Sequence, residues 1–119
     1  MDNFSPSKGL LDLTHLILAR IFSEDKCKKL TNEHIEVLSD IVLHHLIKLE
    51  TRQRTVLTKR YGIGGGDSET FITIGDSLGV TRERVRQIEL KAIYRLERAA
   101  RPYLIKAMFN IESEEASIK

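Results

Sequence analysis

The chain is poor in several residue types. It contains no tryptophan, one cysteine, two prolines, and only three tyrosines and four phenylalanines in 119 residues. So few aromatic residues suit a small helical bundle better than a β-sandwich. Cys27 stands alone, which excludes an internal disulfide and a paired-cysteine metal or redox motif, and a reducing cytoplasm is expected. No long apolar run is present either. The stretch Leu10 to Phe22 is interrupted by Asp12, Thr14, His15 and Arg20 and is too short to cross a bilayer, and no secretory leader is visible. A soluble, cytoplasmic protein is expected, with no membrane association. His15, His34, His44 and His45 show no metal-ligand spacing. The glycine-rich segment 62–68 lacks the lysine and hydroxyl residue of a phosphate-binding loop and reads as a connector. No Ser/His/Asp or Cys/His arrangement is suggested. An enzyme, a metal site and a cofactor are therefore not expected.

Charge is present but unevenly placed. The net charge is +2. Residues 1–50 carry six Lys/Arg against eight Asp/Glu, whereas residues 51–119 carry thirteen against nine. Between Arg82 and Lys106 there are eight basic residues and three acidic ones. A local excess of this kind is the electrostatic footprint of a surface that meets phosphates.

The basic stretch coincides with the clearest pattern in the chain. Phe71, Ile74 and Leu78 recur at helical spacing, Gly75 is small enough for a close helix crossing, and Gly79 stands where the chain must turn. Thr81 can cap a following helix. In that helix Val85, Ile88, Ala92, Leu96 and Ala99 form an apolar stripe. Arg82, Glu83, Arg86 and Gln87, at i, i+1, i+4 and i+5, share the opposite face. Two helices joined by a short glycine-containing turn make a helix-turn-helix over residues 71–98. The four polar side chains are of the types that read base edges: Arg pairs with guanine, Glu accepts from cytosine, and Gln pairs with adenine.

The rest of the chain predicts more helix. Residues 1–9 read as a loose start. Residues 10–23 form an apolar helix with two stripes, Leu10, Leu13, Ile17 and Ile21 beside Leu11, Leu18 and Phe22. One stripe is expected to pack on the next helix; the other is open between core and a partner-binding surface. Ser23 to Leu30 reads as a polar break. Thr31 is expected to cap a helix over Asn32 to Leu49, and a further helix runs from Arg52 to Tyr61. Pro102 is expected to end or kink the long helix near Arg101. The fold class is thus all-α: a small bundle of five or six helices with a C-terminal helix-turn-helix and an extra N-terminal apolar helix. The expected divisions are 1–30 as an N-terminal helical extension, 31–109 as the helix-turn-helix domain and 110–119 as a polar tail.

Leu49 to Leu96 resembles region four of bacterial primary sigma factors. Three pieces carry the resemblance: Arg52-Gln53-Arg54-Thr55-Val56-Leu57 through Arg60-Tyr61-Gly62-Ile63; Ile74-Gly75 through Leu78-Gly79-Val80; and Thr81-Arg82-Glu83-Arg84-Val85-Arg86-Gln87-Ile88-Glu89 with Lys91-Ala92. The resemblance implies that Arg82, Glu83 and Gln87 contact bases of a promoter −35 element, with Arg86 beside them. It also implies that Arg52, Arg60, Thr81, Arg84 and Lys91 hold phosphates or flank the groove, and that the domain touches the β-flap of the RNA polymerase core. The sequence departs from the family at Ile72, where an acidic or polar residue is usual, and at Leu90, where a small residue is usual. No segment resembles sigma region two, so a stand-alone protein is expected. It would act as half of a split sigma factor beside a second sigma-like subunit, or as a regulator of a resident sigma factor. Two other readings are a polymerase-independent regulator dimeric through residues 10–49, and an interaction module that binds polymerase with little DNA binding.

Overall fold

The computed structural model describes residues 6–118, with side chains through residue 115. It is all-α, and no strand occurs among the described residues. The elements are α1 (Lys8–Ile21), α2 (Glu24–Lys28), α3 (Asn32–Leu46), α4 (Thr51–Tyr61), α5 (Phe71–Leu78) and α6 (Arg82–Ile118). Residues 1–5 of the expected loose start lie outside the described residues, and Lys8 and Gly9 already belong to α1.

Local chemistry sets most helix boundaries. Ser7, Ser23 and Thr70 cap α1, α2 and α5 by accepting a backbone N–H three residues on. Thr31 and His34 form a reciprocal pair at the start of α3, with Thr31 Oγ1 accepting from His34 N and His34 Nδ1 accepting from Thr31 N, each at 3.1 Å. Helices α4 and α5 each end on a glycine in the left-handed region, Gly62 and Gly79. The polar segment expected to be a break contains the five-residue helix α2, and α3 stops at Leu46 rather than Leu49.

Two cores hold these helices. The larger joins α1, α3, α4 and α6 through Leu13, Ile17, Leu18, Leu38, Val42, Leu46, Leu57, Leu96 and Leu104 among others. Leu11, Ile21 and Phe22 pack against it half-buried, so both stripes of α1 meet the same core. Thr14, fully buried in α1, donates its hydroxyl to Leu10 O at 2.8 Å and is satisfied without leaving its own helix. The smaller core gathers Val56, Ile74, Val85 and Ile88, edged by Phe71, Leu78 and Val80. Neighbouring residues Val56 and Leu57 face different cores, so α4 is the wall between them.

Helix α6 departs from expectation in two ways. It runs unbroken through Pro102 to Ile118, so the polar tail expected from residue 110 is helical there, with Lys119 outside the described residues. An interior proline costs roughly 3 kcal/mol. Against this, Leu104, Met108 and Ile111 are buried beyond it, each contributing about 1.5–3 kcal/mol. Pro102 and Arg98 are both exposed, where water can satisfy the carbonyl that the proline leaves without a donor. The second departure is that Ala100, not Ala99, continues the buried stripe, because beyond Leu96 the contact line along α3 and α1 advances in steps of four to Leu104 and Met108.

Candidate nucleic-acid interface

The two helices of the motif meet at Gly75. A β-carbon there would lie 2.6 Å from Val80 O and 3.4 Å from Thr81 C, so only glycine lets the turn pass this close. The Gly75 carbonyl also accepts from the N–H groups of Gly79 and Val80, closing the turn with Gly79 at φ 73°. Thr81 Oγ1 then accepts from Arg84 N at 3.1 Å and starts α6. Val85 and Ile88 sink into the smaller core. The polar side chains of Arg82, Glu83, Arg86 and Gln87 are left exposed on the outer side of the first two turns.

These four are not equivalent. Glu83 and Arg86 form a two-pronged ion pair, Oε2 to Nη2 at 2.8 Å and Oε1 to Nε at 3.1 Å. The Arg86 hydrogen bonds hold the Glu83 carboxyl below its ordinary range, with a smaller contribution from Gln87. Arg82 makes no side-chain hydrogen bond or ion pair among the described residues and only a weak electrostatic contribution to Glu83.

The five residues that resemblance associates with phosphate separate into groups. Arg52, Arg84 and Lys91 are exposed and come together on one groove of about 240 Å³ between the start of α4 and the flank of α6. Thr81 is exposed, with its hydroxyl engaged in the cap. Arg60 is half-exposed and already partnered. Its Nε lies 3.4 Å from Glu89 Oε2, its Nη1 donates to Glu69 O at 3.2 Å, and its guanidinium sits 4.1 Å above the Phe71 ring. It thus ties α4, the 62–70 loop and α6 together. Burial raises the Glu89 carboxyl above its ordinary value, an effect that Arg60 only partly opposes.

The same groove is lined by two residues that the motif reading did not single out, Gln53 and Arg95. A signal for Arg95 was present: Arg84, Ile88, Lys91 and Arg95 fall at i, i+4, i+7 and i+11 along one edge of a helix. Gln53 had no such signal, since only packing reveals that it is buried.

Ile72 and Leu90 are both exposed, Leu90 one turn beyond Arg86 on its side of α6, so neither departure from the family is absorbed by the core. Cys27 is half-buried, and burial pushes its thiol pKa up, the direction opposite to activation by its lysine neighbours. No cluster of three metal-ligating side chains occurs among the described residues, and no described helix is long and apolar enough to cross a membrane.

A tight glycine turn against a buried Gly75, a capped helix and an exposed polar face of this construction define a helix-turn-helix DNA-binding domain. Residues 46–98 match the family model of sigma-70 region 4. The matched stretch begins at the last residue of α3 and ends at Arg98 within α6, so α1 and α2 lie outside it. No solved structure matches the chain.

Proposed function

We propose that the protein recognises a −35-like element of double-stranded promoter DNA with the first turns of α6, while its region 4 domain contacts the β-flap of the RNA polymerase core. Arg82 and Gln87 address base edges directly. The Glu83–Arg86 pair does so as a unit, with the carboxylate fixing the guanidinium. Arg52, Arg84 and Lys91 hold phosphates on either side, and Arg60 shapes the domain from within. The cytoplasm is the setting this reading requires. It covers both a share in a split sigma factor and the regulation of a resident one.

The observation that carries the proposal is the distribution of arginines without a hydrogen-bond or ion-pair partner. Of the ten arginines, the guanidinium groups of Arg20, Arg54, Arg60, Arg86, Arg98 and Arg101 have hydrogen-bond or ion-pair partners, for Arg54 the backbone carbonyl of Ile47. Those without one among the described residues are Arg52, Arg82, Arg84 and Arg95, and all four stand at the start of α6 or on the groove beside it. Guanidinium groups left without carboxylates on one face suit an external polyanion. Dimerisation through residues 10–49 has less support, because most of the apolar surface of α1 and α3 is used inside the larger core.

The test is selection of bound duplexes from a random pool, with and without core polymerase. The reading expects an enriched sequence whose affinity rises when polymerase is present. Retention of the protein by polymerase with no sequence enriched would instead favour an interaction module.

A further inference from the structure

The geometry points to Arg95 and Gln53 as further DNA-positioning residues, which extend the phosphate contact of α6 well beyond its groove-reading turns. This rests on the DNA-binding reading above and concerns how far along α6 the duplex is held.

Arg84, Lys91 and Arg95 lie on one edge of α6, and Arg52 faces them from the first turn of α4. From Arg84 to Arg95 is eleven residues, or about 16 Å of helix. None of these four cations has an ion-pair partner among the described residues. A single small anion would satisfy one or two of them. A row of this length suits a linear polyanion carrying a charge every few ångströms, as a nucleic-acid strand does. The row is also continuous with the base-reading face, since Gln87 stands on the same groove.

Gln53 supplies an independent observation. It is 7 % exposed, it lines the groove, and its Oε1 is buried without a hydrogen-bond partner. A buried acceptor left unsatisfied destabilises the fold. A glutamine carries a donor and an acceptor on one terminal group, and rotating that group exchanges them. Rotation would put the NH2 where Oε1 now lies, and a phosphate oxygen seated between Arg52 and Arg95 would supply the acceptor that this donor needs. The carboxylate on the rim, Glu50, caps α4 by accepting from Gln53 N at 3.4 Å and is ion-paired to none of the four cations among the described residues.

The experiment measures duplex affinity of the full chain across a range of salt for wild type, Arg95→Ala, Arg98→Ala and Gln53→Leu. Arg98→Ala removes the same charge from the same helix, but Arg98 lies off the groove against Tyr94. Arg95→Ala is expected to reduce the salt slope by about 0.9, the value for one lost phosphate contact, while Arg98→Ala leaves the slope unchanged. Gln53→Leu is expected to unfold no earlier than wild type, yet to bind all duplexes more weakly. Equal slopes for Arg95→Ala and Arg98→Ala, or full affinity in Gln53→Leu, would overturn the assignment while leaving the base-reading face intact. A wild-type chain that binds no duplex at any salt would remove both this inference and the reading beneath it.

Discussion

Replacing Gly75 by alanine separates folding from recognition more cleanly than any other single change. In an ordinary helix interior the substitution stabilises by up to about 1 kcal/mol. Here the new β-carbon would sit 2.6 Å from Val80 O, with Thr81 C and Arg82 N at 3.4 and 3.5 Å. A carbon and an oxygen rest at roughly 3.3 Å or more, so the turn must retreat by about 0.7 Å. Every atom in the way is backbone, and no side chain can swing aside. Overpacking of this kind costs about 1–3 kcal/mol, so after the propensity gain the net loss is about 0–2 kcal/mol and the domain still folds. The retreat, however, displaces the backbone that leads into Arg82, and a recognition constellation tolerates only about 0.5 Å of displacement. Loss of one good base contact is worth about 1–3 kcal/mol, or roughly 5- to 150-fold in affinity. Thermal unfolding by circular dichroism and duplex titration by fluorescence anisotropy measure the two effects separately. The reasoning predicts a small drop in melting temperature with a much larger drop in affinity. A variant that melts higher than wild type and binds as well would refute it.

Other perturbations test other parts of the account. Arg82→Ala should cost about 1–3 kcal/mol at one or two base positions, whereas Lys91→Ala should weaken binding to every sequence and flatten the salt slope by about one; equal losses for Arg82→Ala on cognate and scrambled duplex would count against its role. Ile17→Ala, at a fully buried position of α1, should destabilise the whole molecule by about 2–5 kcal/mol in urea unfolding, and a loss near zero would mean that α1 is not part of the core. Because burial raises the Glu89 carboxyl, the neutral form favours the fold. Its contribution is greatest below the unfolded carboxylate's pKa of about 4.3 and declines as pH rises through the higher native value. The melting-temperature advantage of wild type over Glu89→Gln should therefore grow as pH falls from about 7 toward 4, and an advantage that shrinks over that range would contradict the assignment.

The helix-turn-helix was legible in the sequence because each of its parts has a local cause. Gly75, Gly79 and Thr81 act within a few residues of themselves, and the stripe from Val85 to Leu96 follows directly from helical periodicity. What escaped depends on contacts distant in sequence. Pro102 reads as a break until Leu104, Met108 and Ile111 are found buried beyond it. Gly9 looks like part of a loose start, yet a β-carbon there would collide with the Tyr61 carbonyl, which makes it the point where α1 crosses α4. Arg60 carries the same side chain as Arg52, and only the packing of Phe71, Glu69 and Glu89 around it gives it partners within the fold. The second stripe of α1 could not be assigned from its own residues, because its neighbours in the larger core come from three other helices.

The most direct measurement is amide chemical-shift mapping of the full chain titrated with a duplex carrying its selected sequence. The account predicts shifts concentrated at Arg82 to Gln87, at Lys91 and at the start of α4 around Arg52, with α1 and residues 103–115 unmoved. Shifts centred on α1 or on the far end of α6, with the first turns of α6 silent, would contradict it.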